Sequence, residues 1–254
     1  MTDARAAYAP ILERLLTLYP AYISRSARDT IRPGYRKVAH IAHGWYMRCH
    51  RGVEAILLLD DAGYAEEASG IRRSIIEHVV ALKWLAAERD HINDTLMRGH
   101  ARDAERRKDA VTGAGWTSVD PLEIAAVIAG IDLDSRDKSG DHLLHFAQRM
   151  TKFGDVHTLP GYLAECSRVH PGYQSAICYV NIPNGGPLPQ SRDAVWQVPF
   201  AATNLLEAVI CIREVFDPPP WGEVLNELGR EYREVTDRVR EQDGLPAINW
   251  SDGP

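Results

Sequence analysis

Five side chains in two separate stretches have the types and spacing to do chemistry. Ile71-Arg-Arg-Ser-Ile-Ile-Glu77 puts Arg73 and Glu77 four residues apart, on one face if the stretch is helical. Arg before Glu is the weaker order for a surface helix pair, so helix stabilisation accounts poorly for it. Tyr162-Leu-Ala-Glu-Cys-Ser167-Arg-Val-His170-Pro171 supplies a phenol, a hydroxyl and an imidazole, with Ser167 and His170 three apart. The expectation is that the stretches meet, with Arg73 or Glu77 hydrogen-bonded to Tyr162, Ser167 or His170. His170 would then serve as a general base and Arg73 as an anion clamp in a pocket. The same five residues have a plainer use, as a satisfied polar network that fixes helix register, and a lone network is more often scaffolding. The readings predict different surroundings: an open positive cleft for chemistry, a sealed and fully partnered cluster for scaffolding.

Other chemical patterns carry less. His40 and His43, and His142 and His145, are three apart, and His50 shares a face with His43. A His-x-x-His pair can ligate a metal, but there is no H-E-x-x-H and no pair of Glu-x-x-His helices, so no metal is expected. No glycine-rich phosphate loop follows a strand, and Gly185-Gly186 sits in a proline-rich loop. There is no Gly-x-Ser-x-Gly elbow either. Neither a nucleotide motif nor a cofactor is expected. Arg followed after four to six residues by His occurs for Arg73 and His78, Arg72 and His78, Arg36 and His43, and Arg136 and His142. With 24 arginines and ten histidines, about that many hits arise by chance. His78 is therefore set below the five.

These side chains need helices to hold them. Ile71, Ile75, Val79 and Leu82 form one stripe and Ile76, Val80 and Trp84 another, so the helix over about 65–89 is apolar nearly all round and belongs in a core. Arg73, Glu77 and His78 within it need partners, because buried charge is costly. Before it, Ala7, Ile11, Leu15, Leu18 and Tyr22 predict a helix over 4–24, ended or kinked by Pro20. Val38, Ile41, Trp45, Cys49, Val53 and Ile56 predict another over 34–61, with Gly63 as its turn. A mostly polar helix follows over 91–112, then a loop, a short helix from Asp120-Pro121 to about Gly130, and a polar loop to Asp141. Helices are expected over 142–153 and 159–170, an unsettled apolar segment over 173–180, a loop over 182–191, and a helix over 191–216 that Pro199 could kink. Leu225, Leu228, Tyr232, Val235 and Val239 mark an amphipathic helix over 221–242. No strand alternation or repeat is evident. The expectation is all-α: one domain over 1–242, an irregular bundle of about seven to nine helices, with a core over 33–216 and a tail over 243–254.

The bulk properties agree. The 254 residues suffice for a sizeable core. A net charge of −6 gives no global basic signature of nucleic-acid binding. The four cysteines have no C-x-x-C spacing and read as reduced, mostly buried thiols. With no signal-peptide pattern and no apolar run near the ~20 residues a membrane span needs, a cytoplasmic protein without membrane contact is expected. Arginine outnumbers lysine 24 to five, which suggests a bacterial source.

The two stretches also carry a resemblance. Ile71 to Glu77, with apolar positions on to Trp84, resembles the Arg-x-x-x-Glu helix of a broad bacterial family of helical proteins of unknown function. Tyr162 to Pro171 is similar to that family's second block: Tyr, three residues, an apolar-like position, Ser, two residues, His, Pro. The similarity spans about residues 35–215. The second block also resembles the Arg-Asn…His-Gly-Tyr turn of HEPN domains, which cut RNA without metal, though Ser167 stands where their arginine would. What that remoter resemblance implies is metal-independent RNA cleavage, in a toxin or antiphage role, with RNA as partner. The alternative is a binding or dimerising scaffold, with a second copy of the chain as partner.

Overall fold

The computed structural model describes residues 3–26, 31–115, 138–155, 157–181, 186–187, 196–248 and 250. Four long helices make the core: α1 (Ala4–Ser26), α2 (Ala39–Asp61), α3 (Ser69–Glu88) and α8 (Gln197–Arg213). Between α3 and α8 the chain runs through α4 (Asn93–Gly113), α5 (Phe146–Phe153), α6 (Thr158–Val169) and α7 (Tyr173–Ile177). The last helix, α9 (Gly222–Gln242), packs on α1. The chain is a single all-α domain, as the helical periodicity predicts.

Helix α3 is central because it is apolar on two sides. One side faces α2 and α8; the other is covered by α5 and α6. Ile75, Ile76, Val79, Val80, Leu82, Trp84 and Leu85 are all buried, at about 1.5–3 kcal/mol of transfer free energy for each large apolar side chain. Helix α9 needs only one apolar edge, and Leu225, Leu228 and Val239 bury there. Beyond α9, the expected tail turns back, and Trp250 donates from Nε1 to the Asp237 carboxylate.

Several boundaries differ from the sequence expectation for local reasons. Helix α1 continues through Pro20 to Ser26. Helix α2 starts at Ala39 rather than near Gly34. Gly34 has φ +92, which a right-handed helix does not accept, and Asp90 Oδ1 takes the N–H groups of Lys37 and Val38 in a turn instead. Helix α8 starts at Gln197, so Pro199 falls in its first turn, where a missing N–H costs nothing and no kink follows. A 3₁₀ turn over Asp141–Leu144 precedes α5, so the helix expected over 142–153 is split. The segment after Tyr173 becomes a short helix and then a strand, Val180–Asn181, paired antiparallel with Gly186–Pro187. Two residues per strand are too few for alternation to show in a sequence. The short helix expected over 121–130 and most of the 182–191 loop lie outside the described residues.

Among the described residues no helix is long and apolar enough to cross a membrane. All four cysteines are free; Cys49 and Cys211 are buried, whereas Cys166 and Cys178 are only half-buried.

Candidate functional site

The two stretches meet where α6 lies on α3. Asp155 starts α6 by accepting the N–H groups of His157 and Thr158 at 2.8 and 2.9 Å. Pro171 stops it, because a residue before proline is driven out of the helical region, and His170 is accordingly extended at φ −86, ψ 143. The helix thus begins and ends where it must for Tyr162 and His170 to reach α3.

Four of the five expected residues form one cluster. Arg73 donates from Nε to Glu77 Oε1 at 3.1 Å, and the Tyr162 hydroxyl donates to the same oxygen at 3.2 Å. Arg73 also reaches His170 Nε2, 3.1 Å from its terminal nitrogen. A guanidinium can only donate, so Nε2 is the acceptor in this contact. The Arg73 guanidinium carbon lies 5.3 Å from the centre of the Tyr162 ring, whose other neighbour is Phe146 at 4.4 Å. Burial, with the nearby Cys166 thiol and Glu77 carboxylate, pushes the Tyr162 phenol up to about 12, so it keeps its proton at neutral pH. Burial alone would lower Arg73, but its bond to Glu77 outweighs that and holds the guanidinium charged. The cluster is open: Arg73 is 29% and Glu77 34% exposed, and His170 is exposed.

Ser167 is not part of it. Its hydroxyl donates back to the Ala164 carbonyl at 2.7 Å, one turn earlier on its own helix. His78 is used likewise, with Nδ1 on the Ser74 carbonyl at 2.7 Å. His43 Nδ1 bonds the Tyr19 hydroxyl and His50 Nε2 the Leu16 carbonyl. The Arg–His spacings therefore make no pair here, and Arg136 lies outside the described residues. Among the described residues no three His, Cys, Asp or Glu side chains gather as a metal site.

Sequence reasoning missed what lies directly beneath. Arg72, next to Arg73, points inward to Glu165 with nitrogen and oxygen 2.8 Å apart and side chains only 3% and 9% exposed. The approach is a charge contact without the alignment of a hydrogen bond. Arg72 also donates to the Ala65 carbonyl at 2.7 Å and to Gln197 Oε1 at 2.9 Å, and Gln197 closes the ring by donating to Ala65. Arg168 sits 3.5 Å from Glu165 and 3.6 Å from Glu66. A signal existed: Glu165 is the single carboxylate between Asp155 and Asp193. A second missed cluster joins Lys83 to Glu207 at 2.9 Å and Asp155 at 3.5 Å, tying α3 to α8 and to the start of α6.

Comparison with known proteins adds one relationship. No curated protein and no solved structure matches the chain. Residues 39–187, more than half of it, match one family described only as of unknown function. That span holds the whole of α3 and α6, and so both layers of the polar cluster. The chain belongs to that family of unknown function, DUF5677.

Proposed function

We propose that Arg73, Glu77, Tyr162 and His170 form a metal-independent site for cleaving the RNA backbone. The observation that carries this is the exposed contact of Arg73 with Nε2 of His170 at 3.1 Å. Docking of α6 on α3 is already secured by the buried Arg72–Glu165 pair, so the outer cluster is not needed to fix helix register. A phosphate oxygen that takes Arg73 away from His170 frees Nε2 to accept the proton of the adjacent 2′-hydroxyl. The 2′-oxygen attacks phosphorus and the 5′-oxygen leaves with a proton from solvent, which the exposed edge of the site admits. Glu77 holds Arg73 in place, and the Tyr162 and Phe146 rings offer a stacking face for a base. Such an activity suits a toxin or antiphage protein, and the remoter resemblance to HEPN domains points the same way, although Ser167 replaces their arginine.

A scaffold reading has one observation of its own: Glu77 receives both Arg73 and Tyr162, so that part of the network closes on itself. Incubating purified protein with tRNA and total RNA, beside Arg73→Ala and His170→Ala, separates the two. Cleavage lost in both variants supports the site. Cleavage that persists in both removes it, and absence of cleavage in every sample favours the scaffold, with a second copy of the chain as its partner.

A further inference from the structure

A cavity of about 630 Å³ lies between α2, α4, the 3₁₀ turn and α5, separate from the Arg73 cluster. Volumes of about 300–1,000 Å³ are those of small-molecule sites. Trp45, Leu96 and Leu144 give it an apolar wall. The same lining holds three cations, Arg102, Arg106 and Arg149, beside one carboxylate, Asp103. Among the described residues the charges that line it do not cancel. Arg98 and Arg102 share one carboxylate, Asp141. Among the described residues Arg106 pairs with Asp103 alone, at 3.7 Å, and both are well exposed. Arg149 has no ion-pair partner among the described residues. Glu77 acts on it only at longer range and is engaged by Arg73 and Tyr162. Among the described residues, three guanidinium groups and one carboxylate, Asp103, line the cavity.

Arg149 is the unusual member. Its guanidinium carbon lies 5.8 Å from the centre of the Trp84 ring, and its Nε is buried with no hydrogen-bond partner. Burial pushes its pKa below that of an ordinary arginine, the Glu77 charge offsetting only part. A half-buried guanidinium without an ion-pair partner among the described residues gains from an anion brought beside it. We propose that the cavity binds a nucleoside monophosphate unit, with its phosphate on Arg149, Arg102 and Arg106 and its flat base against Trp45. The unit is a free nucleotide or one residue of an RNA strand, and the site stands whether or not Arg73 and His170 cleave RNA.

Isothermal titration of the full chain with AMP tests this, with adenosine and inorganic phosphate as partial ligands. The expected AMP Kd is below about 1 mM, with each partial ligand at least about tenfold weaker. Arg149→Ala should weaken AMP at least about tenfold. Arg106→Ala, at a side chain 80% exposed and so harmless to folding, should weaken it about threefold. A short single-stranded RNA that binds more tightly than AMP, and loses affinity in the same variants, identifies the strand as the source; RNA no tighter than AMP identifies the free nucleotide. Absence of AMP binding at about 10 mM overturns the proposal, as does binding that neither Arg149→Ala nor Arg106→Ala weakens.

Discussion

Arg72 and Arg73 are adjacent in the chain, share a helix and face the same partner helix, yet they live in different solvents. One residue on a helix is a turn of about 100°, enough to put Arg72 into the α3–α6 seam and leave Arg73 at its lip. Arg72 is 3% exposed against Glu165 at 9%; Arg73 and Glu77 are 29% and 34% exposed. The inner pair is locked to a carbonyl and a glutamine, so removing either charge strands the other in a low-dielectric interior. The outer pair is bathed by water that screens its attraction and contributes little to stability. The difference teaches that one helix can hold a buried ion pair and a water-screened one side by side, with depth alone dividing them.

The inner layer offers the largest break. Arg72→Ala or Glu165→Ala should cost about 3–5 kcal/mol, because each leaves an unpaired buried charge. For a chain of this size that lowers the melting temperature by about 10 °C, measurable by circular dichroism. The double replacement Arg72→Met with Glu165→Leu should recover most of the loss, since no charge is then stranded. A single variant that melts as the parent does would show that the two layers do not differ in role.

Changes in the outer layer should do the reverse. Arg73→Ala and His170→Ala should each shift stability by less than about 1 kcal/mol while lowering RNA cleavage by about 10²- to 10⁴-fold. A large stability loss in Arg73→Ala would move that residue into the structural class.

A third comparison uses acid. Burial alone would raise the Asp141 carboxyl, but hydrogen bonds from Arg98 and Arg102 outweigh this and hold it below its ordinary 3.8. A lowered folded pKa gives stability that is complete above the ordinary aspartate range and is lost as pH falls through the folded value. Thermal melts from pH 6 down to pH 2 should show this loss below about pH 4, and Asp141→Asn should flatten that part of the curve. An unchanged acid limb in Asp141→Asn would mean that Arg98 does not belong with the inner type of arginine.

Tyr162→Phe should have a small effect. It removes the 3.2 Å bond to Glu77 and keeps the ring against Phe146, for a loss of about 0.5–1.5 kcal/mol by thermal melt. Ser167→Ala is its control and should change neither melting nor cleavage, because the hydroxyl serves only its own helix.

Much of this was legible in the residues. The apolar circumference of α3 reads as a central helix, and α9 reads almost to its ends, since burial follows periodicity when an element is long. Helix starts were less legible: the turn at Gly34–Val38 depends on Asp90, far along the chain, which local spacing cannot show. In the site, Arg73, Glu77, Tyr162 and His170 were readable as polar groups that needed partners. Ser167 had the right spacing but turned to its own backbone, a contact always within reach of a serine in a helix. Arg72 was not legible because nothing local distinguishes an inward arginine from its outward neighbour, although the isolation of Glu165 from other carboxylates was a signal.

The amino-acid sequence by itself determined the all-α architecture and marked two polar stretches whose side chains need partners. Both follow from periodicity and residue type, which are local properties of the chain. Tertiary structure decided the depth of each charge: that Arg72 and not Arg73 is the buried anchor, that His170 meets Arg73, and that Arg149 lines a cavity with no ion-pair partner among the described residues. Depth depends on which helices pack against which, and packing joins residues such as Arg73 and His170, 97 positions apart in the chain.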